Sequence, residues 1–302
     1  MATVANKTSA LIIVNASAGF DSKEDAPHKL ERWFEESGIE AQIDYVQKGT
    51  NLAEKAREAV ASGHDIVVAG GGDGTLSAVA SGLVGTQATF GVLPVGTLNH
   101  FARDLSLPLE LEAAARVVCA GNSVEVDVGE VNGKTFLNNS VVGLYPIFRS
   151  LRADLEKRGW HPKLAWFWGW VTAFRKLPFF RMRIQADGKE LVRRTPYMLI
   201  GNNEHAMTGW QLGTRQTLQG GKLWIYVLRP QSRLALLWMA VKVVLGIFRR
   251  HQHFEVFSAT EAYIDTRSRR LGVSLDGEHH VMETPLHYRS LPRALKVFVP
   301  GK

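Results

Sequence analysis

Apolar and polar residues alternate along the first 127 residues in a way that predicts strands separated by helices. Apolar runs rich in β-branched residues predict strands at residues 11–15, 41–46, 65–70 and 90–96. Between these runs, apolar residues recur three and four positions apart, as in Leu30, Trp33 and Phe34, which is the spacing of one helix face. Strands that alternate with helices favour a parallel sheet covered on both faces. We therefore predict an α/β domain over residues 1–127.

The pattern changes near residue 127, where short alternating segments and turn residues predominate. Asn132-Gly133 predicts a hairpin with a type I′ turn, and Gly188 marks a second hairpin. Short strands are also predicted at residues 196–202, 222–228, 253–259, 261–266 and 270–275. Two helices are expected near residues 163–176 and 232–248. We predict a mostly antiparallel β domain over residues 128–289. Residues 290–302 can return to complete the first domain.

Composition and length exclude several classes of protein. The chain has 302 residues, of which 45% are hydrophobic and 22% charged, which is typical of a globular protein. The single Cys119 excludes an internal disulfide framework and a cysteine-built zinc site. The N-terminus lacks the features of a secretory signal, and the longest apolar stretch, residues 234–248, is shorter than a membrane span. We therefore expect a cytoplasmic protein.

The positive charge is concentrated in two segments. The net charge is +7, yet residues 157–186 and 205–254 each contain seven Lys or Arg residues and no acidic residue. Within the first segment, residues 162–183 contain three Trp and four Phe between basic residues. Aromatic and basic residues together favour an anionic membrane surface. The alternatives are core-packing helices and scattered solvated charge.

A glycine-rich turn follows the third predicted strand and precedes a helix. Its residues, Gly70-Gly71-Gly72-Asp73-Gly74-Thr75, let the backbone approach a phosphate closely, and the helix N-terminus adds partial positive charge. The turn matches neither the P-loop pattern nor the dinucleotide-binding pattern. The alternative is a glycine-rich turn with no ligand, but the carboxylate and hydroxyl within the turn favour a phosphate site.

Four motifs in order resemble the diacylglycerol kinase catalytic-domain family. GGDGT at 71–75 is followed by PVGTLNHFARD at 94–104, and then by the Leu275-Asp276-Gly277-Glu278 segment and the C-terminal PRALKVFVP at 292–300. This superfamily also holds sphingosine and ceramide kinases, and it is distantly similar to NAD kinases. The resemblance implies an N-terminal Rossmann-like α/β nucleotide domain plus a C-terminal antiparallel β-sandwich domain, with the active site between them.

The resemblance also implies which residues bind ATP. In this sequence they are Asn15, Ala16, Ser17, Ala18, Gly19, Thr50, Gly71, Gly72, Asp73, Gly74, Thr75, Leu76, Ser77 and Thr97. Ala16 stands where the family usually has proline. Asp73 is expected to hold a Mg²⁺-bound water, because magnesium usually reaches protein through one or two carboxylates and substrate phosphates. Thr50 has an alternative role as a turn or capping residue.

Glu278 is the expected general base. Transfer of a phosphoryl group to an alcohol requires the hydroxyl to lose its proton, and a nearby carboxylate is a common acceptor. In the family, the glutamate of Asp-Gly-Glu has this role and the aspartate, here Asp276, supports it. The alternative is that Asp276-Gly277 is only a hairpin turn with Glu278 solvated, and we expect the turn itself to present the carboxylates.

The sequence departs from the family at two places. His100 stands where aspartate is common, which is a known bacterial variant. Family members also carry Asp-Gly-x-Leu-Asp near a structural Mg²⁺ site, and here Gly220 and Trp224 replace both carboxylates. Main-chain oxygens at Thr217 and Lys222 are then the remaining expected ligands of that second metal site.

The sequence as a whole predicts an ATP- and Mg²⁺-dependent kinase that phosphorylates a diacylglycerol-like lipid. Its expected partner is a lipid at an anionic membrane surface, not nucleic acid, and its expected location is the inner face of the membrane. Two alternatives remain. One is an enzyme similar to NAD kinase, and the other is a catalytically silent lipid-binding or regulatory protein, which the lost carboxylates at 220 and 224 keep open.

Overall fold

The computed structural model divides the chain into two compact units. The first unit comprises Met1–Val128 and Pro292–Lys302, and the second comprises Gly129–Leu291. The residues that the structure describes are 8–15, 26–47, 49–143, 154–155, 157–161, 164, 168, 172, 179–208, 211–229, 232, 234–236, 238 and 253–301.

The first unit alternates strands and helices along the chain. In order, its elements are β1 (Ser9–Asn15), α1 (Ala26–Glu36), β2 (Glu40–Val46), α2 (Leu52–Ala61), β3 (Ile66–Gly71), α3 (Asp73–Leu83), β4 (Thr89–Pro94), α4 (His100–Asp104) and α5 (Leu111–Ala120). Strands β1 to β4 pair in parallel in the order β2-β1-β3-β4. The predicted α/β class and its parallel sheet are confirmed.

Both the sheet and the helices of the first unit contribute side chains to a buried hydrophobic core. Leu30 and Phe34 of α1 and Val118 of α5 pack against apolar side chains of the sheet, including Ile12 and Val68, and all five side chains are buried. The apolar residues of α1 that recur three and four positions apart in the sequence face this core, since residues at that spacing share one helix face. The core fixes the carboxyl ends of β1, β3 and β4, where the predicted nucleotide loops begin.

The second unit is built mainly from antiparallel strands. After β5 (Ser123–Val131), which extends into it from the first unit, the elements are β6 (Lys134–Phe136), β7 (Asn139–Gly143), β8 (Phe180–Ala186), β9 (Lys189–Thr195), β10 (Tyr197–Asn202), β11 (His205–Thr208), β12 (Gln211–Arg215), β13 (Leu223–Leu228), β14 (Phe254–Ala259), β15 (Glu261–Thr266), β16 (Arg270–Leu275), β17 (Glu278–Glu283) and β18 (Leu286–Phe298). Six of these strands form one sheet in the order β14-β13-β10-β7-β16-β17.

A second group of strands, β15-β8-β9, packs its apolar side chains into the same core as that six-stranded sheet. Met182 and Ile184 of β8 belong to one buried cluster with Ile200 of β10, Ile225 of β13 and Val273 of β16. Two sheets that share one core between them form a sandwich. The expected antiparallel β-sandwich is therefore confirmed.

Three Xaa-Gly pairs close tight hairpins in the second unit, as their sequences predict. Both residues of Asn132-Gly133, Asp187-Gly188 and Asp276-Gly277 have positive φ, with values of 44–47° at the first position and 79–90° at glycine. Each pair links directly opposed residues of consecutive strands. Positive φ at both central residues is the requirement of a type I′ turn, and glycine meets it without strain.

Strand β18 continues from the second unit into the first. Its early residues pair with β15, as in Leu286 opposite Ile264, and its later residues pair in parallel with β4, as in Lys296 opposite Thr89. The sequence pattern predicted only the later part, residues 294–300. The earlier part carries alternating polar residues at an exposed surface, so its apolar content is low.

Several sequence predictions lie outside the described residues. They are the first nucleotide loop at 16–19 and nearly all of the two expected helices at 163–176 and 232–248. Among the described residues, no helix combines the length and the apolar character needed to cross a bilayer.

Candidate functional site

The glycine loop lies where β3 ends and α3 begins. Gly72 is the N-cap of α3, in extended backbone with φ −85° and ψ 179°, and it has no side chain to accept the first N–H groups of the helix. A Cβ added to Gly72 would meet one heavy atom within 4 Å, the Cα of Gly96 at 3.5 Å. Packing therefore leaves room in front of this backbone, and the helix N-terminus there favours an anion.

A second loop, after β4, packs backbone to backbone against the glycine loop. A Cβ on Gly96 would lie 2.4 Å from the Cα of Gly72, so no side chain fits there. Asn99 has left-handed backbone (φ 50°) and closes the loop on itself. Its Oδ1 accepts the Gly96 N–H at 3.0 Å, and its Nδ2 donates to the Gly96 carbonyl at 2.8 Å. The two loops are thus held in contact.

Hydrogen bonds join two of the predicted nucleotide residues to each other, Asn15 and Thr75, and a third, Asp73, to the segment after β4. Oδ1 of Asp73 accepts the Phe101 N–H at 3.2 Å, which joins the first turn of α3 to the first turn of α4. Nδ2 of Asn15, the last residue of β1, donates to Oγ1 of Thr75 at 3.1 Å. Asn15, Asp73 and Thr75 therefore lie together at the carboxyl ends of β1 and β3, the edge where open α/β sheets bind ligands.

Asp73 fits a role in holding magnesium that arrives with a nucleotide. Among the described residues, no hydrogen bond engages its Oδ2, and the side chain is half-buried at the start of α3. No group of three or more His, Cys, Asp or Glu side chains in the described part of the chain is placed to hold a metal ion. One carboxylate together with phosphates and waters is a usual ligand set for Mg²⁺.

The other predicted nucleotide residues differ in what their side chains contribute. Gly71 is required by packing, because a Cβ there would lie 2.5 Å from that of Thr75. Leu76 is fully buried, so only its backbone is available to a ligand. Gly74 and Ser77 belong to the first turns of α3, and Thr97 is exposed in the loop after β4.

Thr50 occupies a turn before α2. Its hydroxyl donates to the Gln47 carbonyl at 2.9 Å, and the N-cap of α2 is the next residue, Asn51, whose Oδ1 accepts the Glu54 N–H. These contacts agree with the turn role that the sequence left open for Thr50.

In the second unit, the carboxylate of Asp276 holds three consecutive backbone N–H groups. Its Oδ2 accepts the N–H of Leu137 at 2.6 Å, and its Oδ1 accepts those of Asn138 and Asn139 at 2.8 and 3.0 Å. The Asp276 N–H in turn donates to the Asn139 carbonyl at 2.9 Å. Charge-assisted bonds of this kind are among the strongest in proteins. The Asp-Gly turn is therefore fixed to the segment 137–139.

Arg215, at the end of β12, holds the same segment from its carbonyl side. Its side chain is 7% exposed, and its guanidinium donates to the Leu137 carbonyl at 2.6 Å, the Asn202 carbonyl at 3.2 Å and Oδ1 of Asn138 at 3.2 Å. The segment 137–139 thus lies between a buried cation and a carboxylate. A planar guanidinium holds five N–H donors in a fixed fork, whereas an ammonium has three donors on a flexible stem.

Replacement of Arg215 by lysine should lower the free energy of unfolding by about 1–3 kcal/mol. An ammonium loses the fork and leaves buried carbonyls without donors. Chemical denaturation checks this, with Arg183→Lys as the control, since Arg183 is exposed and paired with Glu190 at 3.2 Å. Equal stability of the two variants would contradict the role assigned to Arg215.

Glu278 directly follows the turn and begins β17 with its side chain exposed. His279 is exposed and His280 half-buried, as expected for neighbours on a strand. Burial, together with the positive charge of Lys134 and the neighbouring His279, lowers the pKa of His280.

The buried Tyr288 hydroxyl lies 2.9 Å from Oγ of Ser140 on β7, and burial raises the pKa of this tyrosine. Ser140 and Tyr288 are both fully buried, whereas Glu278 is exposed.

The residues expected to form the second metal site make local contacts with their neighbours in the chain and with Asn203. The Lys222 carbonyl accepts the Asn203 N–H at 3.0 Å, and the Thr217 hydroxyl accepts the Gln219 N–H at 3.1 Å. A Cβ on Gly220 would lie 2.6 Å from Oδ1 of Asn203. A side chain at position 220 would therefore collide with this amide, and the second metal site, with main-chain ligands at Thr217 and Lys222, stays a prediction.

Sequence reasoning missed Asn99 as the residue that closes the loop after β4, and Arg215 as a residue that holds the segment 137–139. Asn99 was part of a recognised motif, but its left-handed backbone gives no periodic signal. Arg215 lies on β12, one of four strands, with β7, β11 and β17, that the pattern did not predict because they are short or polar. Its partners are 13 to 78 residues away along the chain.

Comparison with known proteins places these loops in a family. Residues 9–131 match the family model described as diacylglycerol kinase catalytic domain, and residues 152–299 match the YegS C-terminal NAD kinase beta sandwich-like domain. The chain is 27% identical to a diacylglycerol kinase of Bacillus subtilis (strain 168), with 96% of each chain covered. It is 25% identical to a diacylglycerol kinase of Staphylococcus aureus (strain bovine RF122 / ET3-1), with 97% of this chain and 92% of the relative covered.

The fold agrees with a solved structure as well. The chain superposes on the crystal structure of a diacylglycerol kinase from Bacillus anthracis str. Sterne with a TM-score of 0.69 and 20% identity, covering 97% of each chain. The first matched domain contains the predicted nucleotide loops, and the second contains the Asp-Gly-Glu turn. The chain therefore belongs to the diacylglycerol kinase catalytic-domain family, a family of lipid kinases.

Proposed function

We propose that this protein transfers the γ-phosphate of ATP to the hydroxyl of a diacylglycerol-like lipid. The observation that carries the proposal is the turn at 276–278. Both carboxylate oxygens of Asp276 are bound to backbone N–H groups, whereas Glu278 is exposed two residues later. One carboxylate fixes the turn, and the other is presented to solvent for proton transfer.

The first unit supplies the nucleotide site in this proposal. The uncapped N–H groups at the start of α3 bind phosphate oxygens, and the small residues at 71–74 let the nucleotide approach the backbone. Asp73 would hold a Mg²⁺-bound water, and the ion would supply positive charge beside the transferred phosphoryl group. Asn15, Thr75 and Thr97 contribute polar contacts around the phosphates, as do the residues of 16–19 that the sequence assigns to this loop.

Glu278 acts as the general base. As the lipid hydroxyl attacks phosphorus, its O–H bond breaks and the proton passes to the Glu278 carboxylate. The new P–O bond forms while the bond to the β-phosphate oxygen breaks, and ADP leaves with that electron pair. Asp276 positions Glu278 through the segment 137–139, which it holds by three hydrogen bonds.

The lipid substrate implies contact with a membrane. The family's relatives are named diacylglycerol kinases, and diacylglycerol resides in a bilayer. The two acid-free segments at 157–186 and 205–254 support an anionic inner membrane face as the place of action. We therefore propose a peripheral, cytoplasmic enzyme that meets its substrate at that surface.

A substrate panel tests the reaction. Transfer of ³²P from ATP is measured against diacylglycerol, sphingosine, ceramide and NAD under one set of conditions, with and without Mg²⁺. We expect labelling of diacylglycerol that needs Mg²⁺. Labelling of NAD alone would establish the NAD kinase alternative, and the absence of transfer to any acceptor would favour a silent lipid-binding protein.

Substitution of Gly72 by alanine should weaken ATP binding by about tenfold or more without unfolding the protein. Its backbone is extended and a Cβ meets only an ordinary contact at 3.5 Å, so the fold tolerates the methyl group. The same methyl group fills the space where phosphate approaches the backbone.

Calorimetric titration with ATP and Mg²⁺ measures this effect. Ser81→Ala, in the last turns of α3, is the control, since its hydroxyl donates within the helix to the Ala78 carbonyl at 2.7 Å. Wild-type affinity in a folded Gly72→Ala protein would show that phosphate does not bind at this loop.

A further inference from the structure

Three arginine side chains of the second unit line one surface cavity of about 440 Å³. Arg181 on β8 and Arg194 on β9 lie directly opposite each other in the antiparallel pair, and Arg267 follows β15. The other lining residues are Phe179, Phe180, Thr266 and Ser268. The lining therefore combines three cations with hydroxyl and aromatic groups, and it contains no acidic residue.

These three charges are not balanced by carboxylates in the part of the chain that the structure describes. No Asp or Glu there lies within 4.0 Å of their guanidinium groups, although arginines on the same strands are paired. Arg183 contacts Glu190 at 3.2 Å, and Arg193 contacts Glu255 at 2.7 Å. Like charges directly opposite in an antiparallel pair destabilise a sheet. An anion bound between Arg181 and Arg194 would remove that repulsion.

The cavity has the chemistry of a phosphate site beside an apolar surface. Guanidinium groups bind phosphate oxygens in pairs, and two such groups face one space here. The Arg194 guanidinium lies over the Phe179 ring, 5.6 Å from its centroid, so its position is set before any ligand binds. Exposed Val192 lies on the same strand as Arg194, and Phe180 is only half-buried. A phosphate attached to acyl chains matches this combination better than a free phosphate does.

The cavity lies away from the proposed base. Residues 266–268 precede β16, whereas the Asp276-Gly277 turn follows it, and a six-residue strand spans about 20 Å. A phosphate in the cavity is therefore not the phosphoryl group that Glu278 would help to transfer.

We propose that this cavity binds the phosphate headgroup of an anionic phospholipid and so holds the protein on the membrane. The site goes beyond the proposed catalytic function. It rests on that function only for the choice of a lipid over a soluble phosphate, and it requires neither ATP nor diacylglycerol.

Vesicle binding tests the site. Vesicles of phosphatidylcholine with 20 mol% phosphatidylglycerol, free of diacylglycerol and ATP, are titrated with wild type and with Arg181→Gln/Arg194→Gln. Each basic residue near an anionic surface strengthens binding by about fivefold, so we expect affinity to fall by roughly 25-fold. Arg183→Gln is the control, and it should stay within about twofold because Arg183 is already paired. An equal loss in the control would overturn the site.

Arg194→Lys separates recognition from general attraction. It keeps the charge but loses the fork and the stacking on Phe179, so we expect it to bind these vesicles several-fold more weakly than wild type. Wild-type binding by this variant would reduce the effect to diffuse charge and contradict a built site. Binding of glycerol 3-phosphate that is lost in the double variant, with vesicle binding unchanged, would refute the lipid assignment.

Measurements of thermal unfolding and of kinase activity separate loss of the headgroup site from unfolding and from failure of the proposed function. Arg181→Gln/Arg194→Gln removes the repulsion between two opposed like charges, so its melting temperature should equal or exceed that of wild type. Weaker vesicle binding by this variant would then not reflect unfolding. Lipid phosphorylation is measured separately in detergent micelles without anionic lipid. A wild-type protein that binds vesicles but phosphorylates nothing would refute the proposed function and leave the headgroup site intact.

Discussion

Replacement of Glu278 by glutamine should lower the turnover of lipid phosphorylation by roughly 10²- to 10⁴-fold, the usual contribution of a positioned general base. The amide keeps the shape of the side chain but cannot take the proton of the lipid hydroxyl. The KM for ATP should stay nearly constant, because the predicted nucleotide residues belong to the other unit. A loss in kcat at constant KM identifies an interaction made in the transition state.

Glu283→Gln is the matched control for this experiment. Glu283 lies at the other end of β17, and its contact with Arg270, at 3.6 Å, is highly exposed. Exposed ion pairs contribute little to stability, so we expect wild-type kinetics. Near-full phosphorylation by the Glu278→Gln protein would exclude Glu278 as the base and direct attention to Asp276 or Asp73.

Asp276→Asn should lower both stability and turnover. An amide supplies one acceptor oxygen and places an NH₂ group against backbone N–H donors, so charge-assisted bonds to residues 137–139 are lost. We expect the free energy of unfolding to fall by about 2–4 kcal/mol and the fully folded fraction to turn over at least tenfold more slowly. Denaturation and steady-state kinetics measure the two effects on the same sample.

A second Asp-Gly turn in the same unit provides the control. Asp187 also begins a type I′ turn, and its carboxylate accepts the N–H groups of Thr260 and Glu261. Asp187→Asn should cost stability without slowing turnover of the folded protein. In a double-mutant cycle, Asp276→Asn with Glu278→Gln should lose less activity than the two single losses combined, because the residues act together. Full additivity would show that Asp276 does not act through Glu278.

Local chemistry explains which parts of the fold could be predicted. A type I′ turn needs positive φ at two adjacent residues, and Asn-Gly and Asp-Gly reveal that need in the sequence itself. All three hairpins followed from this rule. The alternation of strands and helices in the first unit was equally visible, since each element there buries one face.

Long-range hydrogen bonds explain what could not be predicted. Asp73 was recognised as a ligand for a magnesium-bound water, yet its bond to the Phe101 N–H, 28 residues away, has no sequence signal. The same holds for Arg215, which reads as one more basic residue in an acid-free segment. Its burial among carbonyls depends on β12 reaching the segment 137–139, and no periodic pattern encodes that meeting.

The position of β18 in the sheet has a consequence for folding during synthesis of the chain. Residues Lys296 and Val297 of β18 pair with β4, and the Arg293 N–H donates to Oδ1 of Asp127. The first unit therefore lacks one strand of its sheet until residues 296 and 297 have been made. Domains generally fold as units, in order from the ribosome. Here the first unit must wait with one edge of β4 unpaired, and a chain that stops before residue 292 would lack the β18 residues that pair with this edge.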